Sequence, residues 1–274
     1  MNRLPKEKQI QVVAALVEGM SIRATVRMTG VAKNTIVKLL VELGTACAEY
    51  QDKALRNLPC KRIECDEIWS FVGAKQKNVK PERMGFGLGD VWTWTAICAD
   101  TKLVPSWLIG DRDGGTARNF IDDLASRLSN RVQITTDGHK VYVEAIEGAF
   151  GAEVDYAMLI KQYGAEKRAG EARYSPAVCT GIKKQPMIGY PEEKLVSTSY
   201  VERQNLTMRM SMRRFTRLTN AFSKKVENHA HAVALHFMNY NFARVHQTLR
   251  VTPAMASGVT DHVWEIAEIV ALLG

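Results

Sequence analysis

The sequence predicts a mixed α/β fold, in which a sheet flanked by helices follows a small all-α domain. Apolar residues recur at helical spacing over the first 60 residues, and the pattern then switches to a period of two. Further strand-like segments are interleaved with amphipathic helical segments. The chain has 274 residues, of which 46% are hydrophobic, so it can bury a large core and is not a disordered polymer.

The first 58 residues are predicted to form three helices. Gly19 ends the first, Ser21 is placed to cap a second over residues 22–28, and Gly30 supplies a turn before the third. Three short helices with a glycine turn before the last are typical of a helix-turn-helix DNA-binding domain. We favour it over a small helical packing module because the local charge is basic. The side chains predicted to contact DNA are Lys33, Asn34, Thr35 and Lys38.

A mixed sheet is predicted to follow. In its first strand, Ile63, Cys65, Trp69 and Phe71 share one phase, and Glu64, Asp66 and Ser70 share the other. Further strands are predicted at 91–98, 103–109, 132–136 and around 153–160, with helices at 116–129 and 139–149. The order of three strands, helix, strand, helix, strand indicates a sheet that begins as a meander.

Two carboxylates are expected at one edge of this sheet. Asp66 lies on the polar phase of the first strand, and Asp137 follows the strand at 132–136. If these strands are neighbours, both side chains lie where open α/β sheets bind ligands. Two like charges held so close repel unless a cation lies between them, so the pair predicts a metal.

A third carboxylate follows an irregular stretch at 161–196. Ser199 and Glu202 fit a capping box, with Ser199 as the N-cap, and a capping glutamate needs no catalytic role. Glu202, however, begins a polar stripe on one helical face that continues through Asn205, Arg209 and Arg213. A carboxylate followed by basic side chains suits a metal site beside a phosphate backbone.

Three ordered motifs carry a specific resemblance. They are Cys-Asp-Glu-Ile-Trp-Ser-Phe-Val-Gly at 65–73, Thr-Thr-Asp-Gly-His at 135–139 and Ser-Tyr-Val-Glu-Arg-Gln-Asn at 199–205. Together with the segment at 240–254, they resemble the DDE transposases of the bacterial insertion sequence one family, whose catalytic domains are ribonuclease H-like. The match covers roughly residues 60 to 256.

The resemblance implies cleavage and strand transfer of DNA by phosphoryl transfer. Asp66, Asp137 and Glu202 would hold two Mg²⁺ ions, with Mn²⁺ able to replace them. His139 could contact a substrate phosphate or orient water, or simply start a helix. DNA contacts are expected from Arg203, Asn205, Arg209 and Arg213. The catalytic domain would span 61–256 with an insertion at 161–196, followed by a helical tail at 257–274.

The excess of basic over acidic side chains favours a polyanionic partner. The net charge is +8. Residues 1–60 hold 9 basic and 5 acidic side chains, residues 61–160 hold 12 basic and 15 acidic, and residues 161–274 hold 16 basic and 9 acidic. We expect double-stranded DNA as the partner, a homodimer or higher oligomer on DNA, and a cytoplasmic, nucleoid-associated protein without a membrane span. The alternatives are a ribonuclease H-like nuclease without joining activity and a DNA-binding regulator with an inert catalytic domain.

Overall fold

The computed structural model of the chain describes residues 4–83, 87–164, 178–216 and 220–274. The α-helices are α1 (Lys6–Val17), α2 (Ile22–Thr29), α3 (Lys33–Ala54), α4 (Gly114–Arg127), α5 (Val141–Phe150), α6 (Ser199–Ser211), α7 (Val226–Met238), α8 (Pro253–Ala256) and α9 (Ile266–Ala271). The strands are β1 (Arg62–Val72), β2 (Gly89–Cys98), β3 (Ser106–Gly110), β4 (Val132–Thr136), β5 (Val154–Tyr163) and β6 (Cys179–Ile188). Short 3₁₀ turns cover Gln76–Asn78, Pro81–Arg83, Glu193–Leu195 and Arg213–Phe215, and a π-helical turn covers Asn239–Ala243.

The strands form one mixed sheet of six strands in the order β3-β2-β1-β4-β5-β6. Strands β1, β2 and β3 are antiparallel neighbours, as the meander predicts. Strand β4 is parallel to both β1 and β5, and β6 closes the other edge antiparallel to β5. The predicted mixed sheet flanked by helices is therefore confirmed.

Helices cover both faces of the sheet. Successive side chains of β1 point to opposite sides, and both sides carry apolar residues that a helix must cover. On one face, Cys65 belongs to a buried cluster with Phe120 of α4 and Tyr142 of α5. On the other face, Ile68 belongs to a buried cluster with Val201 of α6 and Phe237 of α7. Helices α6 and α5 therefore flank the same strand from opposite sides.

The predicted irregular stretch at 161–196 contains a strand. Residues 165–177 lie outside the described residues, but β5 extends to Tyr163 and β6 pairs with it. Strand β6 escapes prediction because it contains both Gly181 and Pro186. Proline is tolerated in an edge strand, and the pairing register shifts between Tyr156 and Ala157, whose neighbour is Pro186.

The third predicted strand, at 103–109, begins later than expected. Leu103 and Val104 are buried, yet the strand starts only at Ser106. The backbone N–H of Val104 donates to the side-chain carbonyl of Asn241, whose amide donates back to the Val104 carbonyl. A side chain from a distant segment thus replaces the strand partner at this position.

The amino-terminal helices pack onto the remainder of the chain. Helix α3 continues for 22 residues, and Gly44 lies directly against His231 of α7. Helix α9, in the predicted helical tail, packs against α1. Among the described residues, no helix has both the length and the apolar character needed to cross a membrane.

Candidate metal centre

Asp66 and Asp137 lie side by side at the end of two parallel strands. The pairing of β1 with β4 runs from Arg62 and Gln133 to Cys65 and Thr136. Asp66 follows Cys65 within β1, and Asp137 follows Thr136, the last residue of β4. Strand β4 ends there, whereas β1 continues to Val72, so beyond Cys65 strand β1 pairs with none of the described strands on the β4 side. The sequence prediction that this edge brings two carboxylates together is therefore supported by the pairing.

Glu67 joins the two aspartates, a contact that strand periodicity does not predict. One carboxylate oxygen from each of Asp66, Glu67 and Asp137 lies within 4.8 Å of the others. The Glu67 side chain is only 1% exposed, and neither of its oxygens has a hydrogen-bond partner among the described residues. Its charge on the otherwise apolar phase of β1 was the signal in the sequence that could have identified it.

Among the described residues, Arg112 is the basic side chain that pairs with two carboxylates of this cluster. The Arg112 guanidinium lies 3.6 Å from Glu67 Oε2 and 3.9 Å from Asp137 Oδ2. It also lies over the Trp92 ring, 4.8 Å from the ring centroid, which holds it in place. The distances to both carboxylates exceed those of a good hydrogen bond, so Arg112 balances their charge only in part.

Crowding of carboxylates raises their pKa values. Burial, followed by the charge of Asp137, raises the pKa of Asp66 to about 7. Burial and the charges of Asp137 and Asp66 raise the pKa of Glu67 to about 8, although Arg112 opposes the change. A bound divalent cation would reverse this effect, because it favours the ionised carboxylates.

Hydrogen bonds hold both aspartates in position. Asp66 Oδ1 accepts from the backbone N–H of Glu67, and Asp66 Oδ2 accepts from Asn205 Nδ2, both at 2.8 Å. Asp137 Oδ1 accepts from the backbone N–H of His139 at 2.9 Å. Each aspartate therefore presents its carboxylate in a defined orientation.

Helix α6 is fixed to β1 at its amino terminus. Glu64 is buried and accepts hydrogen bonds from the backbone N–H groups of Tyr200 and Val201, at 2.7 and 3.0 Å. The predicted capping box is wrong: the N-cap is Thr198, and its side chain accepts no hydrogen bond from the backbone N–H groups of the helix. Glu64, from a distant strand, takes over the function of the cap because a buried helix end needs acceptors for its free N–H groups.

Glu202 lies beside the cluster but is not one of its three closest members. It precedes Asn205 by three residues, so both occupy one face of α6, and its charge contributes to the raised pKa of Asp66 after burial and Asp137. Its carboxylate accepts from Thr198 Oγ1 at 2.6 Å and forms an ion pair with Lys161 of β5. The ion pair occupies Glu202 in this conformation.

His139 lies both beside the site and just before helix α5. Its Nε2 is 4.0 Å from Glu67 Oε1, and its ring stacks on Trp94 with the centroids 6.2 Å apart. Burial and the nearby Arg112 lower its pKa, which favours the neutral ring. The two interpretations of His139 are therefore compatible.

The residues predicted to contact DNA occupy several environments. Lys33, Asn34, Thr35 and Lys38 are all exposed at the start of α3. Arg203 is exposed on α6, where it lines a groove of about 700 Å³ together with Arg244. Arg209 is partly buried in α6, and Arg213 is exposed in the 3₁₀ turn that follows this helix. Asn205 is buried and bonded to Asp66, so in this conformation it supports the acidic cluster.

The cluster has the ligand chemistry of a divalent-cation site. Carboxylate oxygens are the hard ligands that Mg²⁺ and Mn²⁺ prefer, and the buried oxygens of Glu67 lack other partners among the described residues. Comparison of the chain with models of protein families finds no match, and a search of curated proteins finds no similar sequence. Function is therefore inferred from the chemistry of the site.

Proposed function

We propose that the chain is a DDE transposase, an enzyme that cleaves DNA strands and joins them to new sites in a metal-dependent reaction. One observation supports the proposal most directly: carboxylate oxygens of Asp66 and Asp137, from two neighbouring strands, lie within 4.8 Å of each other, and the charge of Glu202 on α6 is near enough to raise the pKa of Asp66. These three residues are far apart in the sequence. Their convergence at the carboxyl edge of a sheet is what a phosphoryl-transfer site with two metal ions requires.

The order of the strands adds support. Three antiparallel strands followed by two parallel strands, in the order β3-β2-β1-β4-β5, correspond to the ribonuclease H-like plan expected from the resemblance. In that plan the catalytic carboxylates lie on β1, after β4 and on a late helix. Asp66, Asp137 and Glu202 occupy these positions.

Helices α2 and α3 fit a helix-turn-helix. Gly30 ends α2 in the left-handed conformation with a φ of 71°, and three residues separate the two helices. The exposed polar residues at the start of α3 would enter the major groove of double-stranded DNA. Because transposition joins two DNA ends, we expect a homodimer or larger oligomer on DNA, associated with the nucleoid.

The acidic residues would hold Mg²⁺, or Mn²⁺ in its place. Asp66, Asp137 and Glu202 are the proposed ligands, and the bound metal would activate the attacking oxygen and stabilise the leaving oxygen. For Glu202 to serve as a ligand, its ion pair with Lys161 must weaken. Lys161 would then be free to contact a DNA phosphate beside the site.

The substitution Asp137→Asn tests the proposal. We expect metal-dependent nicking, and joining of a duplex that carries the DNA flanking the coding region, to fall to the level of a metal-free reaction. DNA binding should be unchanged or stronger, because a negative charge facing phosphates is lost. Gel analysis of nicked and joined products measures both activities.

Asp122→Asn is the matched control, because Asp122 is exposed on α4 away from the cluster. Wild-type activity in Asp137→Asn would refute the catalytic assignment. Cleavage by the wild-type protein without joining would favour a ribonuclease H-like nuclease. Sequence-specific DNA binding with neither activity would favour a regulator with an inert catalytic domain.

A further inference from the structure

Glu67 is the least satisfied carboxylate of the candidate metal centre. It shares a strand phase with Cys65, whose cluster faces α4 and α5, whereas Asp66 shares a phase with Ile68, whose cluster faces α6. Because β4 ends at Thr136, the Glu67 carboxylate still comes within 4.8 Å of both aspartates. Glu67 therefore approaches the cluster from the side of the sheet opposite α6.

The protein offers Glu67 little compensation for its burial. Arg112 is 3.6 Å away and is shared with Asp137, and His139 is 4.0 Å away with a lowered pKa that favours its neutral form. The Tyr142 hydroxyl lowers the pKa of Glu67, but by less than burial and the neighbouring carboxylates raise it, and it forms no hydrogen bond of good geometry with the carboxylate. A buried carboxylate without hydrogen bonds is costly, so a structural role alone does not explain Glu67.

Charge balance indicates what is missing. When ionised, Asp66, Glu67 and Asp137 carry three negative charges, and Arg112 supplies one positive charge, which leaves a net charge of −2. A single divalent cation would neutralise this remainder. It would also supply the two buried Glu67 oxygens with a partner.

We propose that Glu67 is an additional metal ligand, which binds a divalent cation together with Asp66 and Asp137. The inference rests on the proposed function, in which the two aspartates are metal ligands. It differs from the expected set of three acidic residues, because Glu202 is engaged at short range by Thr198 and Lys161, whereas Glu67 has only the longer contacts to Arg112 and His139. Removal of the Glu67 carboxylate should therefore lower the affinity for this cation more than removal of the Glu202 carboxylate does.

Direct metal binding tests this proposal without relying on activity. Mn²⁺ is titrated into the full-length protein in the absence of DNA at pH 7.5, and free Mn²⁺ is measured by electron paramagnetic resonance. We expect Glu67→Gln to lower Mn²⁺ affinity at least about tenfold. The loss should exceed that caused by Glu202→Gln. Glu147→Gln, at an exposed position of α5, is the matched control and should bind Mn²⁺ like the wild type.

The outcomes separate this inference from the proposed function. Unchanged Mn²⁺ affinity in Glu67→Gln, together with a loss in Asp137→Asn, overturns the role of Glu67 and leaves the proposed function intact. Absence of Mn²⁺ binding by the wild-type protein overturns both. A lower melting temperature of metal-free Glu67→Gln with wild-type Mn²⁺ affinity identifies Glu67 as a structural partner of Arg112, which also overturns the inference.

A second variant covers failure of Glu67→Gln to fold. Glu67→Asp keeps the charge but withdraws the carboxylate by one methylene group. If Glu67 is a ligand, this variant should also bind Mn²⁺ more weakly, although its charge is unchanged. Wild-type affinity in folded Glu67→Asp would count against direct coordination.

Discussion

Asp66 combines the two effects that make a carboxylate unfavourable in a folded protein. Burial removes water from it, and Asp137 and Glu202 add negative charge nearby. Its pKa therefore rises from 3.8 to about 7, so the folded protein binds a proton at Asp66 that the unfolded chain has released. The cluster thus lowers the stability of the folded protein at neutral pH.

The stability of the metal-free protein should depend on pH through two opposing groups of side chains. Between about pH 8 and 6.5, stability should rise as the pH falls, because Asp66 and Glu67 take up protons more readily in the folded state. Below about pH 6.5 this rise should level off, because buried His229 and His236 have pKa values of about 3 in the folded protein and 6.5 when unfolded, so their protonation in the unfolded chain offsets the gain from the two carboxylates. Thermal melts in a chelating buffer measure the profile.

Asp66→Asn isolates the contribution of the carboxylates to this profile. The rise in melting temperature between pH 8 and 6.5 should shrink in the variant, since one titrating group is removed and the pKa of Glu67 is no longer raised by Asp66. Below pH 6.5 the stability of the variant should fall as the pH falls, because the two histidines then outweigh the one remaining carboxylate. An equally steep rise in Asp66→Asn would show that other groups produce it.

At the level of residues, the sequence predicts the partners that obey strand periodicity and misses the one that violates it. Asp66 and Asp137 follow from the polar phase of one strand and the end of another. Glu67 lies on the apolar phase, and its proximity to both depends on where β4 stops. The contribution of Arg112 depends on a loop whose path no local pattern specifies.

At the level of elements, α6 owes its position to contacts with β1. Glu64 binds the free N–H groups at the helix start, and Asp66 accepts from Asn205 one turn further along. Both acceptors lie on the same phase of β1, two residues apart. A strand and a helix from distant parts of the chain are therefore held in register, and Glu202 lies between the two attachment points.

Removal of the Glu64 carboxylate should loosen the start of α6. Glu64→Ala leaves two buried N–H groups without an acceptor, and we expect it to lower the free energy of unfolding by about 1–3 kcal/mol. Hydrogen exchange at the amides of Tyr200 and Val201 should become faster. Metal-dependent cleavage should fall as well, because Glu202 loses its fixed position.

Thr252→Ala is the control for this prediction. Thr252 also caps a helix, since its side-chain oxygen accepts from the backbone N–H of Met255 at the start of α8, and it does not line the groove of Arg203. Cleavage should be unchanged in this variant. If exchange at Tyr200 and Val201 is the same in Glu64→Ala as in the wild type, Glu64 does not hold the helix.

Elements with regular periodicity are predictable from the sequence, and elements defined by distant partners are not. Strands β1, β2 and β4 fall close to their predicted positions. The capping box fails because Glu64 supplies the cap from another strand, and β6 is missed because only its pairing with β5 makes a strand of a segment that contains glycine and proline. Local composition carries no information about either contact.

At the level of the whole molecule, the amino-terminal helices and the sheet share one core. Buried side chains of α1 and α3, including Val13 and Leu43, belong to the same cluster as Cys65 and Trp94 of the sheet. Helix α3 runs along α7, so the exposed start of α3 is held at a fixed distance from the acidic cluster. If α3 binds DNA as proposed, this packing would fix the position of the duplex relative to the sheet.

The closest approach between α3 and α7 should be sensitive to a single methyl group. A Cβ atom at Gly44 would lie 2.4 Å from Cβ and 2.7 Å from Cα of His231, and backbone atoms cannot move aside cheaply. We expect Gly44→Ala to lower the free energy of unfolding by about 1–3 kcal/mol, even though alanine favours the helix. Gly148→Ala in α5, where a Cβ meets nothing within 4 Å, should instead stabilise the protein by about 0.5–1 kcal/mol. Urea denaturation of both variants gives the comparison, and a Gly44→Ala protein as stable as the wild type would show that α3 does not pack this closely on α7.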